Sequence, residues 1–345
     1  MRKQYSPLLQ SVSIVAGFAA LACFFLFIQI IVPVSSDQTW KEVEIPEGSS
    51  YTGGVNILKE NGIINNRLGL ILLGKITDAD RQLKPGYYSL SASMSPWQIF
   101  ETLIDGRTIQ FTVTIPEGSN LKSIMKKLKG TGLMSDDAWS LANDEYFLDV
   151  LNINAPSLEG YLYPETYSFS KGTDPKVIFK RMVGMLKEKF DEPLMARARE
   201  IGMSENEVLT LASIIEKEAI FDRERPIISA VYHNRLKKKM RLQADPTVLY
   251  GVEKRWKRIR YRDLKRETPY NTYRIKGLPP GPIASPGIES IRAALYPSDD
   301  DYLFFVARND GTHFFSKTNK EHWKAVVQYQ RNGREKNGNG KKKIN

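Results

Sequence analysis

Two glutamates close an apolar run in the segment LASIIEKEA (211–219), at Glu216 and Glu218. The segment reads as the end of a helix over 204–220, opened by Ser204-Glu-Asn-Glu207, a pattern in which a hydroxyl and a carboxylate satisfy free N–H groups. At about 100° per residue the two carboxylates diverge by about 160°, so they cannot act as one pair. Glu216 falls about 65° from the centre of the apolar stripe, and Glu218 about 95° away on its other border. A carboxyl held against apolar walls is desolvated, which favours its neutral form. A neutral carboxyl near pH 7 can protonate a leaving group. The plainer alternative, two boundary carboxylates around a solvated Lys217, stays open on this helix alone.

Three other stretches carry groups suited to a groove. LEGYLYPETY (158–167) places aromatics at 161, 163 and 167, with Phe169 beyond, all on one strand face unless Pro164 breaks it. Such a face could pack against the apolar C–H side of a sugar ring, with Glu159 and Glu165 as polar contacts; a packed strand is the alternative. RLQADPTV (241–248) offers Gln243, Asp245 and Thr247 around a turn at Pro246. TPYNTY (268–273) precedes GLPPGPIASPG (277–287), whose Pro and Gly content predicts a stiff irregular loop, a common site-building element.

The elements that must position these groups follow from patterning. The chain has 345 residues, 41% hydrophobic and 26% charged, enough for two domains and a buried core. Its one Cys excludes a disulfide scaffold and a Cys-based zinc site, its three His make an all-His metal site improbable, and no cofactor is expected. The net charge of +11 is concentrated at the ends: residues 331–345 and Arg2-Lys3 carry most of it, leaving about +4 elsewhere. Nucleic acid is therefore not expected as a partner.

No charge lies between Lys3 and Asp37, and Val12–Pro33 is almost wholly apolar. That length predicts a membrane anchor over 12–34. A cleaved signal peptide is the rival, but its apolar stretch would be shorter. Arg2 and Lys3 on the short side predict a cytoplasmic N-terminus over 1–11 and the remaining chain outside the membrane. An internal repeat follows: VEIPEGS (43–49) recurs as VTIPEGS (113–119), and 43–64 aligned on 113–134 gives nine identities. Each copy reads as strand, turn and Gly-ended helix, either a plain structural unit or a small carbohydrate-binding one. A domain boundary is placed near 108. Helices are expected at 95–104, 175–201, 204–220, 226–239 and 289–295, strands at 302–307 and 312–315, and a disordered basic tail at 332–345. The fold class is α+β.

The series LEGYLYPETY, LASIIEKEA, NRL, RLQADPTV, TPYNTY and GLPPGPIASPG, in this order, resembles the YceG-like family of endolytic murein transglycosylases. The resemblance covers roughly 110–330 and implies a catalytic domain over 108–331, preceded by a LysM-like α/β module over 35–107. The usual Gly-Asp-Thr-Leu signature of such a module is replaced here by Pro-Glu-Gly-Ser. It implies a cell-membrane enzyme that cuts peptidoglycan strands internally, between N-acetylmuramic acid and N-acetylglucosamine. The muramic C6 hydroxyl attacks in place of water and leaves a 1,6-anhydro end, so one carboxyl can serve both proton transfers. The family's catalytic residue is the first Glu of its Glu-Lys-Glu segment, which maps to Glu216. Glu218 then supports it, and Gln243, Asp245, Tyr270 and Asn271 match motif positions expected in the sugar groove. Wall-synthesis machinery is implied as a partner. The rivals are a hydrolase using Glu159 or Glu165 as second carboxylate, and a non-catalytic wall-binding scaffold. The basic run 254–262 reads either as a solvated loop or as a contact to anionic wall polymer, stem-peptide carboxylates or lipid headgroups.

Overall fold

A computed structural model describes residues 7–79, 82–252 and 259–331. The basic tail, residues 254–258 of the basic run and residues 1–6 lie outside it. Helix α1 (Pro7–Ile31) carries no charged residue. It stops before Pro33, whose ring disfavours helical conformation in the residue preceding it, so the segment expected over 12–34 is helical only to Ile31. Among the described residues no helix is long and apolar enough to cross a membrane. The side chains of residues 7–14, 19 and 23 are outside the described set. From Val15 onward Phe18, Leu21, Phe24 and Phe27 are among the exposed apolar side chains, whereas Leu26, Ile28 and Ile30 are half-buried, Ile30 against the core of the first unit.

The chain divides into two compact units. The first takes the described residues up to Phe111 together with Ser168–Thr173. In it β1 (Trp40–Ile45) pairs antiparallel with β2 (Gly86–Ser91), Trp40 opposite Ser91 and Ile45 opposite Gly86. The period-2 alternation buries Val43 and Ile45 on one face. They meet α2 (Tyr51–Glu60), α3 (Leu68–Ile76) and α4 (Pro96–Asp105) in a core containing Val55, Leu58, Leu70, Tyr88, Ile99 and Leu103. Helix α4 is opened by Ser95 and Gln98 bonding each other's backbone, with Pro96 at its first position, and is ended by Gly106 in the left-handed region.

The second unit takes Thr112–Tyr167 and the described residues from Asp174 on. β3 (Gln110–Thr114) pairs with β4 (Thr166–Ser170). The repeat proves to be one device used twice. In both copies the turn closes from a Ser N–H to a Pro carbonyl, Ser49 to Pro46 at 3.1 Å and Ser119 to Pro116 at 3.2 Å. Helices α2 and α5 (Leu121–Gly130) then end alike, with Ile63 N–H on the Leu58 carbonyl and Leu133 N–H on that of Leu128. Gly62 and Gly132 supply the positive φ that this ending requires.

After α6 (Glu145–Val150), the single helix expected over 175–201 is two, α7 (Pro175–Lys189) and α8 (Glu192–Glu200). Asp191 caps α8 through Leu194 N–H, and Pro193 lacks the donor needed to continue α7. Helix α9 (Glu205–Glu218) has the predicted Ser204–Glu207 box at its start. It is buried all round from Val208 to Ile215 and packs on α10 (Arg225–Lys237) and α13 (Ile288–Leu295). Short helices α11 (Asp245–Leu249) and α12 (Tyr261–Leu264) lie between.

The chain then forms the antiparallel hairpin β5 (Phe304–Ala307) and β6 (His313–Ser316), followed by α14 (Asn319–Val326) and a turn of π-helix over Val327–Arg331. Helix α10 ties down the approach to this hairpin. Asn234 Nδ2 donates to the carbonyls of Asp300 (2.8 Å) and Tyr302 (3.0 Å), and Arg235 Nε to that of Leu303 (2.7 Å). The aromatic stretch is core. Tyr161, Tyr163, Tyr167 and Phe169 are all buried, and β4 begins only at Thr166, beyond Pro164. They present no open face to a sugar.

Candidate active site

Helix α9 emerges from the core at its last turn, and its three final residues go to different places. Glu216 turns inward. Its Oε1 accepts from Arg225 Nη2 at 3.2 Å, and its Oε2 from Gly287 N–H at 3.1 Å and Ser290 Oγ at 2.8 Å. Both partners of the ion pair are 8% exposed. Arg225 is also held by Ser290 (2.9 Å) and Asp222. The Glu216 carboxylate thus joins α9 to α10 and to the start of α13, and it lines neither of the clefts described below. Glu117, in the second repeat turn, lies against Gly287, where a Cβ would come within 2.0 Å of its carboxylate. Burial, and then the nearby Glu216, push Glu117 above the usual carboxylate range.

Lys217 donates to the Gly118 carbonyl at 3.1 Å. The same turn exchanges backbone bonds with the Pro/Gly loop, Gly118 N–H to Ser285 O and Ser285 N–H to Ser119 O. The loop is pinned to α9 as well, Ile283 N–H on Ser213 Oγ at 3.0 Å and Asn206 Nδ2 on the Pro280 carbonyl at 2.9 Å. These bonds hold 277–287 as a rigid wall.

Glu218 ends the helix and opens outward. It lines a cleft of about 750 Å³ with Glu159, Asp245, Tyr250 and Trp139, and a second of about 500 Å³ with Gln243, Asp245, Tyr273 and Trp323. Desolvation by these surroundings pushes its pKa up to about 8, and the Asp245 carboxylate adds to the shift. Hydrogen bonds from the Tyr232 hydroxyl (3.3 Å) and the Asp245 backbone N–H, with the Arg235 charge, act in the opposite direction. Glu218 is therefore mostly protonated at neutral pH. The Asp245 carboxylate accepts from Tyr273 Oη at 2.6 Å.

Glu159 is 5% exposed, and both its oxygens are occupied: Leu121 N–H at the start of α5 reaches Oε1 at 2.9 Å, and Tyr250 Oη reaches Oε2 at 3.1 Å. Desolvation pushes it up to about 7, with the Leu121 and Tyr250 bonds pulling the other way. Tyr250 in turn packs on Tyr270, ring centroids 4.5 Å apart.

Of the residues singled out from sequence, Glu218, Glu159, Gln243 and Asp245 line the clefts, and Tyr270 backs one of them through Tyr250. Glu165 is exposed and lines neither. Asn271 is 1% exposed; its amide donates to the carbonyls of Leu264 and Arg266 and accepts from Tyr273 N–H, so it braces the loop. Sequence reasoning passed over Tyr232, Tyr250 and Tyr273. All three were within reach of the motifs: Tyr232 opens the stretch Tyr232–Leu236 that ends in NRL, Tyr250 lies two residues after RLQADPTV, and Tyr273 closes TPYNTY. Among the described residues no group of three or more His, Cys, Asp and Glu is placed to hold a metal ion.

The chain is similar to an endolytic murein transglycosylase from Bacillus subtilis (strain 168), 36% identical over 321 residues, covering 87% of this chain and 88% of that protein. It is similar to one from Streptococcus pneumoniae serotype 2 (strain D39), 28% identical over 333 residues, where the match spans 60% of the longer relative. A crystal structure of a yceG-like protein from Listeria monocytogenes superposes with a TM-score of 0.57 at 37% identity, covering 84% of this chain and all of that one. The profile of the YceG-like family matches residues 43–328. With that match across most of its length, the chain belongs to the YceG-like family.

Proposed function

We propose that the chain is an endolytic lytic transglycosylase of peptidoglycan in which Glu218, rather than Glu216, is the acid and base. The observation that carries this reading is the Glu218 carboxyl, desolvated, protonated near neutral pH and open to clefts on two sides. Glu216, the residue the resemblance implies, has three donors on its carboxylate and no opening to either cleft. We read it as a positioning residue.

In the proposed reaction neutral Glu218 gives its proton to the glycosidic oxygen as the bond from the muramic C1 breaks. The muramic C6 oxygen then bonds to C1, and its proton passes to the Glu218 carboxylate. The product ends in a 1,6-anhydro ring, Glu218 is again neutral, and no water is consumed. Hydrogen bonds from Tyr232 and the Asp245 N–H favour the transient carboxylate. Because both oxygens of Glu159 are occupied and Glu165 lies outside the clefts, neither is placed as the nucleophile a hydrolase would need.

The wider setting belongs to the same proposal. The uncharged α1, with its exposed Phe and Leu side chains, supports a membrane anchor with its N-terminus cytoplasmic and the rest of the chain outside. A LysM-like role for the first unit, strand termination and contact with wall-synthesis machinery rest on the resemblance.

The test is mass spectrometry of peptidoglycan digested by the full chain, by Glu218→Gln and by Glu216→Gln. Anhydro ends from the parent, none from Glu218→Gln and residual cleavage by Glu216→Gln are expected. Reducing ends would replace the lyase with a hydrolase. No new ends from a folded, glycan-binding parent would favour a scaffold. Full activity in Glu218→Gln would return the role to Glu216.

A further inference from the structure

The cleft bounded by the β5–β6 hairpin and α14 plays no part in the proton transfers, yet Glu218 and Asp245 line it as they line the larger cleft. A polymer seated with its reacting bond at Glu218 therefore has a recess open to it on each side. The lining of the hairpin cleft is specific in kind. Trp323 presents a half-exposed indole. Phe304 and His322, stacked with centroids 5.2 Å apart, also line it. Around them stand the neutral amides of Asn319, Gln330 and Gln243.

The cationic group in this lining is already occupied. Arg235 donates to the carbonyls of Leu303, Leu242 and Arg241 and stacks over Phe304 at 5.2 Å. No uncommitted cation among the described lining residues awaits a phosphate or a carboxylate. Flat aromatic surface beside neutral amides suits a ligand with apolar C–H faces edged by hydroxyl and acetamido groups.

We infer that the cleft between the β5–β6 hairpin and α14 holds the continuation of the same glycan strand beyond Glu218, with Trp323 as its stacking platform and Gln330 and Asn319 as its polar edge. This rests on the reading of the chain as a glycan-cleaving enzyme. It also gives that reading a physical reason for internal cleavage, since a strand held on both sides of the reacting bond is cut away from its ends.

The experiment uses the full chain and peptide-free strands of alternating N-acetylglucosamine and N-acetylmuramic acid of defined length. For the parent, KM falls as strands lengthen and then levels. Trp323→Ala raises KM for long strands about tenfold, and the rise shrinks as strands shorten. Gln330→Ala, at an exposed position that leaves the core untouched, moves KM in the same sense by less. A Trp323→Ala protein that cleaves with the parent's length dependence overturns the inference and leaves the enzymatic reading standing. So does a loss in kcat that is equal at every length. Conversely, binding of long strands by Glu218→Gln that weakens when Trp323→Ala is added supports the cleft even if the parent releases no anhydro ends.

Discussion

Replacing Glu218 with glutamine should abolish cleavage and stabilise the fold, and the second effect has a pH signature. In the unfolded chain this carboxyl titrates near 4.5; in the fold it titrates near 8. The fold therefore keeps a proton that the unfolded chain releases. The stability tied to that proton is complete below the unfolded value and is lost as pH rises towards 8. Each unit is worth about 1.4 kcal/mol, so the ionisable side chain costs the fold about 3 kcal/mol at pH 7 relative to a group that cannot ionise. The amide keeps the size of the carboxyl and still accepts from the Tyr232 hydroxyl. Urea unfolding of the full chain, parent against Glu218→Gln, should show the variant more stable by up to about 3 kcal/mol at pH 7 and the two converging near pH 4. A variant destabilised equally at both pH values would refute the reasoning. The parent's Glu218 carboxyl would then be ionised in the fold and unable to act first as an acid.

Glu216→Gln should behave oppositely, losing about 3 kcal/mol in the same assay because the buried Arg225 loses its buried partner charge and keeps only the exposed Asp222. With Glu218 as the acid, kcat/KM should fall about tenfold for each unit of pH above about 8, read from initial rates of anhydro-end release. Gly287→Ala should cost less than about 1 kcal/mol in urea unfolding, since the Glu117 carboxylate that its Cβ would meet at 2.0 Å ends an exposed, flexible side chain that can swing aside. Tyr250→Phe should cost about 1 kcal/mol by removing the side-chain donor on buried Glu159, with the larger share of that loss above pH 7 where the carboxylate is charged.

Where local chemistry decided the outcome, the sequence was readable. The Ser204–Glu207 box, the Ser95-Pro96 start of α4 and the two Gly-ended repeats all appear where their patterns placed them. The break at Asp191-Glu192-Pro193 was also written in the chain, but the apolar periodicity running across it concealed it. The carboxylates were harder for a different reason. A helical wheel ranks Glu216 as the better-buried one, and it is buried, but among its own helices and with an arginine. The surroundings of Glu218 are built by residues distant in the chain, among them Tyr232 on α10 and Asp245 at the start of α11, more than ten residues away. No periodicity within α9 could report it. The aromatic stretch misled similarly: spacing gave alternation, whereas Pro164 and the packing around β4 sent all four rings inward.

The donors that α10 places on the carbonyls of Asp300, Tyr302 and Leu303 fasten a hairpin that, among the described residues, has no third strand to lean on. An isolated hairpin of four-residue strands would open readily on its own. Fastened in this way, its amides should exchange with deuterium in step with those of α10, as one cooperative unit rather than as a fraying appendage. Asn234→Ala would uncouple the two and speed exchange in β5 and β6 while α10 keeps its protection.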